Sequence, residues 1–423
     1  MKDFVFDVEY IREQFPALCK TVGNNPAAFL DGPGGTQVPK RVVDKINDYM
    51  FYRNANIHGV FKTSRESDAL TAEAKVKVAD FLNCDPCEVI FGENSTTNNM
   101  KLSYALARTI EPGDEILITE IDHEGNRSPW RILEDFGAVI KNVKINTDDI
   151  TLDFDDFMSK LSPKTKLLAI NWAANSCGTI TDVAKYIEEA HKVGAITVVD
   201  AVHYAPHRCI DVKKINTDIL VCSAYKFFGP HFGVMYIRKE LGEKIKSVRV
   251  MADDNTEMPY RFETGTVAME FAAGTAEAVE FIADVGDRHM KYFDDLFPEA
   301  TGRRKKIMVG MHAIEVYEEG LASQLREKLG AMPGLKIYGP KDPEWRTSTV
   351  SFTVDGINAG DIAKKLADKG IFVWDGEYYA IETIFNVLKL EPVGGMLRIG
   401  LAPYSIQSEI DRVIECMAEI TGN

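Results

Sequence analysis

The sequence predicts an α/β fold with two domains. A large doubly wound domain with a mainly parallel sheet is expected over residues 20–290, and a smaller α+β domain over residues 1–19 and 291–423. Two observations predict this division. In the first part, short and nearly all-apolar strands alternate with helices, as in parallel sheets that are covered on both faces. From about residue 291, a long helix is instead followed by a series of strands and shorter helices.

The strands expected in the large domain are short and rich in branched apolar residues. They cover residues 88–92, 115–119, 167–170, 196–200 and 219–223. Helices are predicted at residues 69–82 and 183–193, where apolar residues recur three or four positions apart. Ligands of such sheets bind at the carboxyl ends of the strands, so the residues that follow these strands are the candidates for a functional site.

The second part of the chain shows a different order of elements. Helices are predicted over residues 307–320, 360–369 and 406–420, and strands over residues 334–338, 349–353, 371–374 and 396–400. We therefore expect an α+β arrangement here.

The composition limits the classes of partner. The 423 residues carry 49 basic and 64 acidic side chains, a net charge of −15. Such a charge repels a phosphate backbone, so no nucleic-acid partner is expected. No run of 18 apolar residues lacks charge, and the N-terminus does not resemble a signal peptide. We therefore expect no membrane association and a cytoplasmic location.

Seven cysteines are scattered along the chain, at positions 19, 84, 87, 177, 209, 222 and 416. An odd number at irregular spacing indicates free thiols in a reducing compartment. Cys84 and Cys87 form a CxxC pair, but no second Cys or His pair lies nearby in the sequence. A turn between helix and strand explains this pair better than a metal or redox site, and no metal is expected.

The most informative residues are an aspartate at the end of one strand and a lysine shortly after the next. Asp200 ends the 196–200 strand, and Lys226 follows the 219–223 strand. In a parallel sheet both lie at the same edge. A buried lysine can form a Schiff base, and a carboxylate can keep a heterocyclic nitrogen protonated. Pyridoxal phosphate needs this pair, although both residue types are also common at protein surfaces.

Two neighbouring segments strengthen the hypothesis. Ser95, Thr96 and Thr97 follow a strand and open a helix, where backbone N–H groups and hydroxyls bind anions. The alternative is an ordinary helix cap. His123 follows the 115–119 strand, where an imidazole can lie over an aromatic ring. Taken alone, this histidine would more often be a surface residue.

At this point the sequence resembles the class V pyridoxal-phosphate enzymes, specifically their cysteine desulfurase and selenocysteine lyase branch. The resemblance covers nearly the full chain. It is carried by residues 6–16, 29–31, 95–97, 123, 174–179, 200–203, 223–230, 261–266 and 397–402. It implies the aspartate-aminotransferase-like fold, which is fold type I of pyridoxal-phosphate enzymes.

The resemblance also implies roles for individual residues. Lys226 resembles the lysine that binds the cofactor covalently, Asp200 the partner of the pyridine nitrogen, and His123 the ring stacked on the cofactor, and these are the expected catalytic residues. The remaining cofactor contacts are expected from Ser95, Thr96, Thr97, Asn175, His203, Ser223, Tyr225 and Thr266. Substrate contacts are expected from Arg398, Asn175, His58 and Tyr379, with Arg398 binding the α-carboxylate. Thr266 resembles a residue supplied by a second subunit, which implies a homodimer with the site at the interface.

Three positions depart from the desulfurase pattern. His203 stands where desulfurases usually carry Gln near the phenolic oxygen of the cofactor, and Tyr225 where they usually carry His. The third departure is larger, because desulfurases need a loop cysteine to accept the substrate sulfur. Tyr379 falls at about that position, and no cysteine occurs between Cys222 and Cys416. Cys177 lies beside Asn175, but its small thiol is best explained as part of the core.

The sequence therefore predicts a dimeric pyridoxal-phosphate enzyme that acts on a small α-amino acid. A C–S lyase that eliminates the sulfur of cysteine or cystine needs the fewest additional residues. An aminotransferase or an amino-acid epimerase on the same scaffold is the alternative, with Tyr378 and Tyr379 as candidate acids. A catalytically silent binding homologue is a further alternative, and the complete set of Lys226, Asp200, His123 and Arg398 argues against it.

Overall fold

The computed structural model describes residues 4–250 and 257–422. Its strands are β1 (Thr21–Val22), β2 (Asn25–Pro26), β3 (Ala28–Phe29), β4 (Val89–Gly92), β5 (Glu115–Thr119), β6 (Val139–Val143), β7 (Ile145–Asn146), β8 (Thr151–Leu152), β9 (Thr165–Asn171), β10 (Ile196–Asp200), β11 (Ile219–Ser223), β12 (Gly233–Ile237), β13 (Leu335–Tyr338), β14 (Thr349–Val354), β15 (Ile371–Phe372), β16 (Trp374–Gly376) and β17 (Met396–Gly400).

The helices pack on both faces of the large sheet and on the small sheet. They are α1 (Val8–Glu13), α2 (Lys40–Tyr52), α3 (Lys62–Leu82), α4 (Ser95–Leu106), α5 (Ser128–Arg131), α6 (Phe154–Lys160), α7 (Val183–Lys192), α8 (Val212–Ile215), α9 (Lys239–Gly242), α10 (Met269–Phe293), α11 (Gly302–Gly330), α12 (Ala359–Asp368) and α13 (Gln407–Thr421). No helix in the described ranges has an apolar stretch long enough to cross a bilayer.

Seven strands form the large sheet, in the order β4-β12-β11-β10-β9-β5-β6. All neighbours are parallel except β12, which runs antiparallel to both β11 and β4. The prediction of a mainly parallel sheet is confirmed. The antiparallel strand β12 is not among the predicted strands and is seen only in the structure.

The large sheet is buried on both faces, which explains its nearly continuous apolar strands. Successive residues of β10 and β11 point to opposite sides. Val199 and Leu220 lie in the core on one face, whereas Val198 and Val221 lie in the core on the other. Parallel pairing also brings the carboxyl ends of β9, β10 and β11 to one edge.

The small sheet is antiparallel, with the order β13-β14-β17-β16. Its apolar residues pack against α12, α13 and the C-terminal half of α11. The prediction of one strand over residues 371–374 is wrong. Ile371 and Phe372 pair with β3, and Trp374 begins β16 in the small sheet, so the chain changes its pairing partner at Val373.

Helix α11 contributes to the cores of both sheets. Its earlier residues, including Ile307 and Ile314, belong to the core of the large sheet. Its later residues, including Leu321 and Leu325, belong to the core of the small sheet. The segment between Ile314 and Leu321 therefore lies at the junction of the two cores.

Candidate active site

The structure places Asp200 and Lys226 at the carboxyl edge of the large sheet. Asp200 is the last residue of β10, and its carboxylate accepts a hydrogen bond from the N–H of Val202 at 2.8 Å. Lys226 follows β11 in a short turn. Its amine donates to the carbonyl of Pro33 and lies 4.8 Å from the centre of the Tyr225 ring.

Burial changes the protonation of both groups. It lowers the pKa of Lys226 to about 7, and the nearby charge of Arg398 acts in the same direction, while Asp200 and Asp31 oppose it. Burial raises the pKa of Asp200 to about 6, against the effects of the Val202 N–H and of Lys226. Slightly above neutral pH, Lys226 is therefore largely a free amine and Asp200 is an anion.

The N-terminus of α4 lies beside the end of β11. The Ser223 hydroxyl accepts a hydrogen bond from the N–H of Ser95 at 3.1 Å. The cap of the helix is Asn94, whose side chain accepts from the N–H of Thr97 at 2.8 Å, so the alternative that residues 95–97 are the cap is wrong. No hydrogen bond between described residues uses the side-chain hydroxyls of residues 95–97. They are available to an anion at this helix end.

His123 lies between the large sheet and the loop that follows β16. Its Nδ1 accepts from the N–H of Gly125 at 2.8 Å, and its ring centre lies 5.5 Å from that of Tyr379. A Cβ at Gly125 would lie 2.7 Å from the Thr96 hydroxyl, so glycine permits this close approach. Burial, together with the charges of Lys226 and Arg398, lowers the pKa of His123 to about 4. The imidazole is therefore neutral at physiological pH, with its proton on Nε2.

Arg398 reaches the site from β17 of the small sheet. One Nη donates to the carbonyl of Asn175 at 2.8 Å, and the guanidinium lies 4.0 Å from the centre of the Tyr378 ring. Burial lowers the pKa of Arg398 to about 10, which leaves it charged. Its Nε is buried without a hydrogen-bond partner among the described residues. This arginine therefore has donor capacity for an anionic ligand.

The loop after β16 contains two consecutive residues with left-handed backbone, Tyr378 at φ 53° and Tyr379 at φ 58°. Each such non-glycine residue costs about 1–2 kcal/mol. Contacts with the large sheet's loops stabilise the turn. Asn175 Nδ2 donates to the carbonyl of Tyr378 at 2.9 Å, and the N–H of Glu124 donates to the carbonyl of Tyr379 at 2.7 Å.

Further contacts attach the same loop to the large sheet. The Thr383 hydroxyl donates to the carbonyl of Glu120 at 2.6 Å. Arg127, which is 1% exposed, lies 3.1 Å from Glu124 Oε1 and 3.4 Å from Glu382 Oε2. Tyr379 is therefore presented beside His123 by a fixed segment, although its own side chain is exposed.

Two of the expected contact residues lie elsewhere in this chain. His58 and Thr266 line a cavity of about 170 Å³ together with Arg249, Tyr260 and Glu263. His58 also pairs with Asp68, at 3.1 Å from Nδ1 to Oδ1. Asp200, Lys226, His123 and Arg398 form the group around Lys226, and none of these four residues lines the cavity. Within one chain the structure therefore does not bring His58 and Thr266 together with Arg398.

The remaining expected residues border the group around Lys226. Asn175 has a buried amide oxygen without a partner among the described residues. The Tyr225 ring stacks on His231 with centres 4.6 Å apart. His203 is buried behind the end of β10, and its Nε2 contacts the hydroxyls of Thr347, which precedes β14, and of Thr349, which begins it.

Asp31 also lies close to the site, although no role is predicted for it from the sequence. Burial raises the pKa of this carboxyl, and the charges of Arg398 and Lys226 oppose the shift. Its Oδ1 is buried without a partner among the described residues. Asp31 ends one of the segments that carry the family resemblance, residues 29–31, so the available signal was its position rather than its chemistry.

These groups fit pyridoxal phosphate. Free hydroxyls at a helix N-terminus suit its phosphate, a free amine suits its aldehyde, and a strand-end carboxylate suits its ring nitrogen. The unpartnered Nε of Arg398 and amide oxygen of Asn175 leave polar capacity for a bound amino acid. The fold and these groups together define a pyridoxal-phosphate enzyme of fold type I.

Comparison with known proteins gives the family. The Aminotransferase class-V family matches residues 28–295 and 306–413. A probable cysteine desulfurase of Synechocystis sp. is 30% identical, over 96% of this chain and 94% of the relative. An aminotransferase-like protein of Gibberella zeae is 29% identical, over 98% of each chain. The apo structure of a cysteine desulfurase from Thermococcus onnurineus NA1 superposes with a TM-score of 0.85, at 26% identity and 100% coverage of both chains.

The chain therefore belongs to the class-V aminotransferase family and falls in its cysteine desulfurase branch. It is a pyridoxal-phosphate-dependent enzyme. The expectations of fold type I, of this cofactor and of the family are confirmed.

Proposed function

We propose that the enzyme is a cysteine desulfurase-like C–S lyase that eliminates the sulfur of cysteine or cystine. For cysteine, the balanced reaction takes L-cysteine and water to pyruvate, ammonia and hydrogen sulfide. The Cβ–S bond breaks with its electron pair on sulfur, and the α-carbon loses a proton. No external oxidant, reductant or thiol is consumed.

The observation that carries the proposal is the lack of a thiol where sulfur would have to be accepted. The segment from Trp374 to Thr383, which borders His123, contains no cysteine. Cys177 is fully buried, with its sulfur 3.2 Å from the Thr179 hydroxyl, and Cys222 is buried within β11. An elimination releases the sulfur directly and needs no acceptor thiol.

The roles of the chain's own residues follow from their protonation. When bound, pyridoxal phosphate withdraws electrons from the α-carbon of an attached amino acid. We assign Arg398 to the substrate carboxylate, because its guanidinium is charged and has an unpartnered Nε. Lys226 takes the α-proton, since it is largely a free amine slightly above neutral pH. Asp200, an anion at that pH, holds a proton on the cofactor's ring nitrogen.

The two residues beside the loop have different capacities. Neutral His123 presents an N–H donor at Nε2. Such a donor can stabilise the negative charge of a leaving hydrosulfide, which does not have to be protonated before it departs. Tyr378 is poorly suited as an acid, because its hydroxyl already donates to the carbonyl of Met396 and burial raises its pKa. Tyr379 is 66% exposed and is the better candidate for contact with the substrate side chain.

The other cofactor contacts stand as part of this proposal. The cofactor's phosphate is assigned to the hydroxyls at the start of α4 and at the end of β11. The rest of the cofactor's edge is assigned to Asn175, His203 and Tyr225. The phosphate residues are Ser95, Thr96, Thr97 and Ser223. A cytoplasmic location is also retained as a proposal, supported by seven cysteines of which none is paired in a disulfide.

A homodimer with the site at the interface completes the proposal. Thr266 and His58 are exposed and are separate from the Lys226 group of their own chain. Exposed apolar side chains lie at the end of α2 and just before α3, as expected for a surface that a second copy covers. They are Phe51, Tyr52, Val60 and Phe61, from 57% to 85% exposed.

Mixing two inactive variants tests the shared site. In Lys226→Ala the amine is lost, and in Thr266→Glu an added charge repels the phosphate. If Thr266 acts across the interface, a mixed dimer has one intact site, and random mixing in equal amounts restores about a quarter of the wild-type sites. If Thr266 acts in its own subunit, or if the protein is monomeric, the mixture stays inactive.

The reaction itself is tested by incubating the loaded enzyme with L-cysteine or L-cystine, with and without dithiothreitol. A lyase forms pyruvate at the same rate in both conditions when cysteine is the substrate. A desulfurase that uses another thiol forms alanine and needs the added reductant for repeated turnover, which would contradict the proposal. Formation of a keto acid that keeps the substrate's side chain, with the cofactor left as its amine, would instead show an aminotransferase.

A further inference from the structure

A buried group of polar residues lies directly behind the candidate active site. It consists of His203 and His207 from the loop after β10, Thr347 just before β14, Thr349 at the start of β14, and Glu318 of α11. All five side chains are buried, and each is at most 4% exposed. Residues of the large sheet, the small sheet and α11 therefore meet here at the junction of the two cores.

The two threonines contact one nitrogen of His203. Nε2 lies 3.2 Å from the Thr347 hydroxyl and 3.0 Å from the Thr349 hydroxyl. The Thr347 hydroxyl also accepts from the N–H of Thr349 at 3.4 Å. Neither hydroxyl has another acceptor among the described residues. A buried hydroxyl that cannot donate its proton is costly, so at least one of them donates to Nε2.

The consequence concerns the other nitrogen of the ring. In a neutral imidazole that accepts at Nε2, the proton is on Nδ1. Burial and the nearby charges of His207, Arg398 and Lys226 lower the pKa of His203 well below its usual range, so the ring is neutral. Nδ1 has no hydrogen-bond partner among the described residues. The threonines therefore leave His203 with a free N–H donor.

The surrounding contacts hold the ring and the threonines in place. The ring of His207 lies edge-on to His203, with centres 5.1 Å apart and planes at 70°. His207 is in turn bound to Glu318, at 2.7 Å from Nδ1 to Oε2, and Ser348 donates to the same oxygen at 2.8 Å. The N–H of Thr347 donates to the carbonyl of Gly178 at 2.8 Å.

We propose that Thr347 and Thr349 are positioning residues that fix His203 as a hydrogen-bond donor toward the phenolic oxygen of the cofactor. The two threonines of the small domain would thereby influence the protonation of a cofactor that the large sheet binds. This inference rests on the proposed placement of His203 at the cofactor's edge, but not on the reaction that the enzyme catalyses. A donor at this oxygen stabilises its negative charge.

The test is the pH titration of the visible absorption band of the enzyme loaded with pyridoxal phosphate, without substrate. A donor to the phenolate favours the deprotonated form of the lysine-bound cofactor, so its loss raises the midpoint. We expect the double variant Thr347→Val with Thr349→Val to raise the midpoint by about one pH unit, the equivalent of one hydrogen bond to a charged group. A matched control is Thr353→Val on the same strand, whose hydroxyl contacts Tyr338 at 3.2 Å, and it should leave the midpoint unchanged.

Two His203 variants separate the possible failures. His203→Gln carries an amide donor that no tautomer can remove, so in that background the threonine changes should no longer move the midpoint. An equal shift in the His203→Gln background, or no shift in the wild-type background, would overturn the role of the threonines. If His203→Ala also leaves the midpoint unchanged, then the placement of His203 itself is wrong. The single variants Thr347→Val and Thr349→Val repeat the test with a smaller change to the core.

Discussion

The edge of the large sheet and the loop after β16 contribute to the same site in different ways. The edge supplies Asp200 and Lys226 from adjacent parallel strands, so their proximity follows directly from strand order. The loop places Tyr378 and Tyr379 in left-handed conformations and depends on contacts with distant segments. In the proposed function, the edge binds the cofactor, whereas the loop contacts the side chain of the substrate.

The difference also shows which part can change without loss of the fold. The strands β10 and β11, which lead to Asp200 and Lys226, are buried on both faces, so their sequence is constrained by packing. Tyr379 has an exposed side chain, and its position is fixed by the carbonyl that accepts from Glu124. A different side chain at residue 379 can be presented by the same backbone. A change from an acceptor thiol to a phenol at this place is compatible with an unchanged scaffold.

Loss of Lys226 is expected to have the largest effect. Lys226→Ala removes both the amine that binds the cofactor and the base that takes the α-proton, so kcat should fall by about 10³-fold or more. The visible absorption of the lysine-bound cofactor should disappear. Lys192→Ala, at an exposed position on α7, is the control and should retain both. Retained absorption in Lys226→Ala would show that another amine holds the cofactor.

A change at Arg398 tests the contribution of the small sheet. Arg398→Lys keeps the charge but loses the planar group that can bind a carboxylate through two N–H donors. We expect kcat/KM to fall by about 10²-fold, mainly through KM, because hydrogen bonds to a charged group are lost. Steady-state kinetics with L-cysteine measure this. An unchanged KM would place the substrate carboxylate elsewhere.

The protonation of Lys226 predicts a pH dependence for cofactor uptake by the apoprotein. The free amine is the nucleophile, and burial lowers the pKa of Lys226 to about 7. The uptake rate should therefore rise about tenfold per pH unit below that pKa and level off above it. Stopped-flow absorbance between about pH 5.5 and 9 measures this. A rate that still rises steeply at the upper end would mean that Lys226 has the pKa of an exposed lysine.

Arg398→Leu should move the pH at which the uptake rate levels off to a higher value, because the charge of Arg398 contributes to the lowered pKa of Lys226.

The smallest expected effect comes from loosening the loop. Thr383→Val removes the hydroxyl that donates to the carbonyl of Glu120 and keeps the shape of the buried side chain. The free energy of unfolding should fall by about 1 kcal/mol, and kcat/KM by a few-fold at most. Denaturant titration and kinetics on the same preparation measure the two effects. A loss of activity as large as that of Arg398→Lys would mean that the loop is far less firmly attached than its contacts indicate.

The sequence predicts much of the large sheet because the signal there is local. The bounds of β5, β10 and β11 agree with the predicted strands, since buried parallel strands are short apolar runs. Helix α11 begins earlier than the predicted helix 307–320, because its first turn is polar and carries no apolar signal. It also ends later, because Leu321, Leu325 and Leu329 continue the apolar spacing into the core of the small sheet, which the prediction stopped short of. The break at Val373 could not be predicted, because the choice between β3 and β17 as pairing partner depends on tertiary contacts.

For the site as for the fold, the sequence predicts the residues at the strand ends but not the long-range contacts. Asp200 and Lys226 meet because β10 and β11 are neighbouring parallel strands, and strand order is a property of the fold class. The start of α4 follows β4, which β12 separates from β11, so its approach to Ser223 depends on a strand that was not predicted. The contacts of Arg127 with Glu382 and of Thr347 with His203 join residues that are more than 100 positions apart. No local pattern marks such pairs, so only the folded structure shows how the loop and the buried histidine are held.

In the proposed lyase, the bound substrate loses its sulfur without an acceptor thiol in the protein. The most direct measurement is the stoichiometry of products from L-cysteine with the loaded enzyme and no added thiol. We expect sulfide and pyruvate in equal amounts over many turnovers, with no alanine. Alanine in place of pyruvate, with sulfur retained on the protein as a persulfide, would contradict it and identify the enzyme as a desulfurase that uses a cysteine outside the loop after β16.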